Sequence, residues 1–207
     1  MRNRVLMLSM LVTSSLAGTV GAQTRGTAGE LLRQGMELVY SSGGMENPPW
    51  NVEAIVRDTV LGGVGMCSIA RIRMTAGQGL TDVRAHCVRG DTLFGWDSAN
   101  ARHRVLRPLG PRMTIVFPAS DGRTVTYETA DLAKEVVDGI ELVVVPTIIT
   151  TRDSTGRPVR RLQERYANAL TSAVGGTFEA ADSSSPGGWR VDRAFQLVRI
   201  RQPAPQR

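Results

Sequence analysis

The sequence predicts a mainly β protein, in which a single antiparallel sheet curls into a barrel or half-barrel. The first observation is a succession of short runs rich in Val, Ile, Thr and aromatic residues. The second is that Gly, Pro, Asp, Asn or Ser separates one run from the next, which favours tight turns and antiparallel pairing. The third is residues 140–151, a nearly all β-branched run that gives the strongest strand signal.

The N-terminus predicts export. Arg2 and Arg4 precede an apolar run over residues 5–16, and small residues follow as far as Ala22. This order is typical of a signal peptide over residues 1–22 that is cleaved after Ala22. We expect a periplasmic or extracellular protein. Its mature chain should have no transmembrane segment, because even the apolar run at 5–16 is too short to span a bilayer and no other segment comes close to that length.

After the signal peptide we expect an N-terminal lead-in over residues 23–34, a single antiparallel β domain over 35–201 and a disordered tail over 202–207. Each strand of the domain is a β-prone run that ends at turn residues, such as Gly43-Gly44 after the first and Gly62-Gly63 after the second. The predicted strands are 36–41, 51–60, 66–74, 80–88, 92–96, 102–107, 113–117, 123–129, 140–151 and 189–200. Pro146 cannot donate to a ladder, which predicts a sheet edge or a bulge at that residue.

Two segments in the second half are harder to assign. Residues 158–174 place apolar side chains at helical spacing, with Pro158 suited to a first turn and Gly175 to a C-terminus, so a helix that covers one face or plugs one end of the sheet is one alternative. The hairpin loop at 153–156 favours a long strand that pairs with 140–151 instead, and we favour the strand. Residues 130–139 are expected to form a short helical or looped connection.

The tripeptide Arg89-Gly90-Asp91 would suggest integrin adhesion on an animal matrix protein. Here it lies between two β-prone runs, and glycine can adopt a positive φ without steric cost. The tripeptide therefore predicts a turn between two strands rather than an adhesion signal.

Cys67 and Cys87 are the two cysteines of the chain, and export makes a disulfide between them the expected state. If their segments form a hairpin with the cysteines opposed, its midpoint falls on Gly77, within the turn signal Thr75-Ala76-Gly77-Gln78-Gly79. Directly opposed residues of an antiparallel pair are close enough for a bridge.

The charge pattern argues against nucleic-acid binding. Loss of Arg2 and Arg4 with the signal peptide lowers the formal net charge from +6 to +4, and the arginines are scattered along the chain. A nucleic-acid site favours a basic patch interleaved with aromatic residues, whereas aromatic residues make up 5% of this chain.

No familiar catalytic or metal motif occurs, so we expect a protein that is not an enzyme and has no cofactor. His86 and His103 lack metal-ligand spacing, and no G-x-S-x-G or S-x-x-K pattern is present. A cluster of carboxylates is interpreted as a solvated face rather than an acid/base pair: Glu128, Asp131, Glu135, Asp138 and Glu141.

The leading hypothesis is non-catalytic binding and carriage of an apolar or amphipathic ligand, such as a small molecule or lipid, in the envelope. The architecture would be lipocalin-like, or an open half-barrel like that of periplasmic lipid carriers, which is an analogy of fold alone. The alternative is a structural or assembly protein that binds another envelope component. Strand edges and the loops at 41–50 and 182–189 would then supply contacts, with Trp50 and Trp189 as anchors.

Overall fold

The computed structural model describes residues 28–58, 69–97, 100, 102–119 and 121–203. Within these ranges the chain forms one 14-stranded sheet in which every strand pair is antiparallel. The helical elements there are three 3-10 turns, at Gly77–Gly79, Asn168–Leu170 and Pro186–Gly188. The strands are β1 (Glu37–Ser42), β2 (Met45–Glu46), β3 (Trp50–Asp58), β4 (Ile69–Ala76), β5 (Leu80–Arg89), β6 (Thr92–Asp97), β7 (Arg102–Pro108), β8 (Thr114–Pro118), β9 (Thr124–Thr129), β10 (Ala133–Val137), β11 (Ile140–Arg152), β12 (Pro158–Ala167), β13 (Ser172–Ala181) and β14 (Trp189–Arg201).

The sheet is nearly closed into a barrel. Its strand order is β7-β6-β5-β4-β3-β1-β14-β13-β12-β11-β9-β8, while β2 pairs with β1 and β10 pairs with β11. Strands β7 and β8 are therefore the two edges, and pairing of β1 with β14 joins the two halves. The prediction of one antiparallel sheet curled into a barrel is confirmed.

A buried ion pair crosses the interior from one edge strand. The Arg107 guanidinium of β7 lies 2.5 Å from the Glu164 carboxylate of β12, and each side chain is 9% exposed. Arg107 also donates a hydrogen bond of 3.1 Å to Thr147 Oγ1 of β11. Because these partners lie on the opposite half of the sheet, the pair ties edge strand β7 to strands that it does not meet in the ladder.

One end of the barrel, here called the closed end, is filled by a packed core. The turns that precede β1 dock on the 3-10 turn at Asn168–Leu170, with Gly29 N–H donating to the Asn168 carbonyl at 3.0 Å. Leu32, Met36 and Leu170 are at most 1% exposed. From the β10–β11 turn, the Asp138 carboxylate accepts a 3.0 Å hydrogen bond from Ile200 N–H, and Pro203 lies beside Gly35.

Residues 158–174 form no helix. They form β12, a 3-10 turn and the first residues of β13, and Leu162 pairs with Ile149 on one side and Phe178 on the other. The strand interpretation is confirmed and the helix alternative is wrong. The turn at Asn168–Leu170, completed by Thr171 with a φ of +48°, interrupts the alternation, so apolar positions from two strands together mimic a helical period.

Residues 130–139 also differ from the expectation of a helical or looped connection. They contain β10, which folds back on β11 through Asp138 and Gly139, with φ of +51° and +79°. Two consecutive positive φ values are typical of the tight turns that join hairpin strands. Val137 is 5% exposed because β10 adds it to the core.

Pro146 lies inside the sheet rather than at its edge. On one side it pairs with Arg165 of β12. On the other side β11 changes its partner from β10, whose first residue pairs with Val144, to β9, whose last residue pairs with Thr147. The Pro146 carbonyl accepts a 2.9 Å bond from Ala130 N–H. The missing N–H therefore falls at a break between two ladders, and Pro146 is neither at an edge of the sheet nor at a bulge in the β11–β12 pairing.

Candidate ligand-binding cavity

At the end of the barrel away from the packed core, here called the open end, apolar side chains lie side by side across six strands. These side chains lie on the same face of the sheet as Thr147 and Glu164. Because Thr147 and Glu164 contact Arg107 on the opposite side of the barrel, this face is the interior one. The apolar members are half-buried, in contrast to the fully buried core. The register-paired row is Ile115, Tyr127, Ile149, Leu162, Phe178 and Arg193.

Two adjoining cavities occupy this end. The first has a volume of about 370 Å³ and includes Tyr40, Trp50, Met74, Phe178 and Phe195 in its lining. The second has a volume of about 430 Å³, and Ile149, Leu162 and Arg160 help to line it. Phe178 and Arg193 line both cavities, which places the two next to each other. Each volume is at the lower end of the roughly 300–1,000 Å³ typical of small-molecule sites.

An aromatic cluster forms the wall between β1, β13 and β14. The ring of Phe195 lies 5.6 Å from that of Phe178 and 6.3 Å from that of Tyr40, both in tilted geometry. The Arg193 guanidinium lies 4.6 Å from the centre of the Phe178 ring. Such tilted pairs and cation–π contacts hold side chains in place at an interior surface that remains open.

The polar groups beside this wall bond to one another. The Tyr40 hydroxyl donates to the Ala173 carbonyl at 3.0 Å and lies 2.7 Å from Ser172 Oγ. Burial raises the pKa of Tyr40, so its hydroxyl stays protonated at neutral pH. Arg84 donates to the Asp82 carboxylate at 2.6 Å and to the Thr171 carbonyl at 2.5 Å. These groups are therefore held in place by hydrogen bonds beside the first cavity.

A polar layer of side chains from β5, β7 and β12 lies in the interior, next to the core. The Arg107 guanidinium stacks 3.8 Å from the centre of the Tyr166 ring, and burial raises the pKa of Tyr166 to about 12. Burial, reinforced by the positive charge of Arg84, lowers the pKa of His86 to about 4. The Tyr166 hydroxyl and His86 Nδ1 have no hydrogen-bond partner within the described residues. Both side chains are neutral at pH 7, so neither supplies a charge to the cavity.

The side chains singled out from the sequence are dispersed in the fold. Trp50 lines the first cavity, whereas the Trp189 ring lies 4.4 Å beneath the Arg161 guanidinium on the other face of the sheet. His103 of β7 packs edge-on against Trp96 at 5.0 Å, and β6 lies between it and the β5 strand of His86. In the part of the chain that the structure describes, no three His, Cys, Asp or Glu side chains come together as metal ligands.

The clustered carboxylates do not converge on the cavities. Asp131 pairs with Arg112, Glu135 with Arg165, and Glu141 with Lys134, while Asp138 accepts the Ile200 N–H. Glu128 belongs to β9 and borders a separate depression on β9, β11 and β12. The separate pairings agree with the interpretation of these charges as surface groups.

The proposed disulfide cannot be placed in full, because Cys67 lies outside the described residues. Cys87 is 1% exposed in β5. The β4–β5 register pairs Ala76 with Leu80, so the hairpin is centred on Gln78, which has a φ of +61°, and not on Gly77. The centre of the turn is one residue later than assumed, which shifts every cross-strand partner by two residues, so the assumed register is wrong. Pairing of Cys67 with Cys87 stays a prediction. The signal peptide at 1–22 also lies outside the described residues.

Arg89-Gly90-Asp91 is a turn, as predicted. β5 ends at Arg89, Gly90 has a φ of +53°, and β6 begins at Thr92. The Asp91 carbonyl accepts a 2.7 Å bond from Leu109 N–H. Gly90 therefore allows the chain to reverse direction between β5 and β6, and Asp91 connects the turn to the core through its hydrogen bond with Leu109.

The residues that best define the site were missed from the sequence. Tyr40, Phe178, Phe195 and Arg193 come from three strands and meet only through long-range pairing. A partial signal exists in alternation, because Arg193, Phe195 and Leu197 occupy every second position of β14 and share one face.

Comparison of the chain with protein-family models, curated proteins and solved structures finds no match in any of the three. Among the described residues, no helix has both the length and the apolar character needed to cross a membrane. The cavities and their lining are therefore the main guide to function.

Proposed function

We propose that this protein is an exported, non-catalytic binding protein that carries a small apolar or amphipathic molecule in the cavities of the open end. One observation carries the proposal: an inward-facing wall of Tyr40, Phe178 and Phe195 borders a cavity of about 370 Å³. These three aromatic side chains face the interior but are only half-buried, because they border the cavity instead of being covered by a core. A ligand that fills this volume removes apolar surface from water, at roughly 25 cal/mol per Å².

Export supports the same proposal from the sequence side. A carrier in the envelope needs a leader, which residues 1–22 resemble, and needs no reactive group. The polar groups beside the cavity are bonded to one another, which suits a container rather than an active site. Carriage also accounts for the difference between the filled and unfilled ends of one barrel.

The test is to purify the protein from its native host, extract it with organic solvent and measure the extract by mass spectrometry. We expect about one apolar molecule per chain. The Ser42→Trp variant should lose it, because Ser42 lines the first cavity and lies opposite Phe195. Ser41→Trp is the matched control, since Ser41 points to the other face of the same strand. An empty wild-type protein that also fails to take up added single-chain amphiphiles would refute carriage.

An assembly role is the second candidate, and the two sheet edges favour it. Strand edges β7 and β8 offer places for pairing with another chain. Val116 of β8 is 57% exposed, so Val116→Lys should block such pairing. Val191→Lys is the matched control, because Val191 is equally exposed, at 57%, but lies in β14 between two partners. A defined envelope partner lost only in Val116→Lys, with no ligand in the cavity, would favour assembly.

A further inference from the structure

Two arginines at the open end have no carboxylate partner. Arg160 of β12 and Arg193 of β14 both line the second cavity. In the described part of the chain, neither forms an ion pair, and the contact of Arg193 is with the Phe178 ring. Their neighbours differ: Arg161 pairs with Glu179, Arg165 with Glu135, and Arg190 with Asp192.

The carboxylates beside this cavity are already engaged. Glu179 accepts hydrogen bonds from Arg161 and from Gln163, the latter at 3.0 Å. Asp192 accepts from Arg190 at 3.2 Å. The positive charges of Arg160 and Arg193 are therefore left without a carboxylate partner in a lining that also contains the apolar side chains of Ile149, Leu162 and Phe178.

We propose that the ligand of these cavities is a single-chain amphiphile with an anionic head group, a carboxylate or a phosphate, which Arg193 and Arg160 bind. This inference rests on the proposed function, since it assigns a head group to the ligand of the same site. The apolar chain lies along Phe178 and Phe195 in the first cavity, and the head group lies at the second cavity.

The geometry of Arg193 suits this role. Its guanidinium is stacked on Phe178, which restricts its rotamers before a ligand arrives. A planar guanidinium can donate two parallel hydrogen bonds to a carboxylate or phosphate, which a point charge cannot. Because Arg193 lines both cavities, it lies where a chain in the first cavity ends and a head group in the second begins.

The test compares three ligands of equal chain length by calorimetry: dodecanoate, dodecyl phosphate and dodecanol. We expect at least one anion to bind about tenfold more tightly than the alcohol, as a charge-assisted contact predicts. Whichever anion binds more tightly identifies the head group. High salt should weaken binding of the anion and leave the alcohol unchanged.

The variants Arg193→Gln and Arg160→Gln should each weaken binding of the anion about tenfold and leave dodecanol binding unchanged. Arg199→Gln is the control, because Arg199 pairs with Glu46 outside the cavities and its loss changes the net charge equally. Melting curves for all three variants check the fold. If alcohol and anions bind equally and no variant changes that, the head-group inference fails while carriage stands. If none of the three ligands binds, both proposals fail.

Discussion

The two ends of the barrel are made from the same strands, but the interior is filled at one end and contains cavities at the other. At the closed end, Leu32, Met36 and Leu170 fill the interior and are almost inaccessible to water. At the open end, Leu162 and Phe178 face the same interior yet border cavities. The difference comes from what lies across each end: the turns before β1 and the 3-10 turn at Asn168–Leu170 cap one, whereas arginine and aromatic side chains border the other. Stability is therefore concentrated at one end and binding capacity at the other.

The largest expected effect is at the boundary between the two ends. Glu164→Gln removes the charge partner of Arg107 and leaves a buried guanidinium uncompensated. We expect the free energy of unfolding to fall by about 3–5 kcal/mol, measured by urea denaturation. The control is Glu141→Gln, whose pair with Lys134 is more than half exposed and should cost less than about 1 kcal/mol. Equal losses in the two variants would show that the pair does not hold the barrel together.

The next effect compares the ends directly by removing a leucine side chain from each. Leu170→Ala should lower the free energy of unfolding by about 3 kcal/mol, because it leaves a cavity in a packed core. Leu162→Ala should cost only about 1 kcal/mol, since Leu162 is half-buried beside an existing cavity. Leu162→Ala should also weaken ligand binding, which Leu170→Ala should not. Similar costs at both sites would contradict the division into a stabilising end and a binding end.

A smaller effect should appear on acidification, through the polar layer between the ends. The folded pKa of His86 is about 4, while its unfolded value is near 6.5. Between these values the unfolded chain binds a proton that the folded chain does not, so stability falls as the pH drops below about 6.5 and levels off below 4. The expected loss between pH 7.5 and pH 5 is about 2 kcal/mol from this residue.

The measurement is the free energy of unfolding at pH 7.5 and pH 5 for the wild type and for His86→Gln. The change in this free energy between the two pH values should be about 2 kcal/mol smaller in the variant. An unchanged pH dependence in the variant would mean that another group is responsible.

The smallest effect tests whether turn geometry contributes to the difference in stability between the closed end and the open end. Gly90 adjoins the core through the Asp91–Leu109 hydrogen bond, and Gly156 lies in the loop between β11 and β12. Both have a positive φ, and a Cβ at either would meet no atom within 4 Å. Each Gly→Ala variant should therefore cost about 1 kcal/mol from backbone strain alone. A much larger loss at Gly90 would show that the turn, and not only packing, stabilises the closed end.

Most strands could be predicted because the signals that define them are local. The run at 140–151 and the turn at 153–156 need only neighbouring residues, and Asp153 fixes that turn by accepting from Thr155 and Arg157 N–H groups. The turn that divides 158–174 into two strands was missed, because Thr171, and not glycine, occupies its left-handed position. Gly175, which suggested a helix end, lies instead within β13. At the next position a Cβ on Gly176 would come 2.4 Å from the Gln163 carbonyl.

The site could not be predicted to the same degree. Arg107 and Glu164 are 57 positions apart in the chain, and Tyr40 meets Ser172 across 132. Such contacts depend on which strands become neighbours, and alternation along one strand carries no information about that. The sequence could indicate a curled sheet with an interior, but not which end of the interior is filled.

Pro203 beside Gly35 has a practical consequence for attachment. The described chain starts and finishes at the same pole, on the side opposite the cavities. An affinity handle or a surface tether joined at Ala28 or Pro203, the two ends of the described chain, would therefore lie at the pole opposite the entrance. Molecules immobilised at either position would present the entrance to the solution, which suits uptake and release assays.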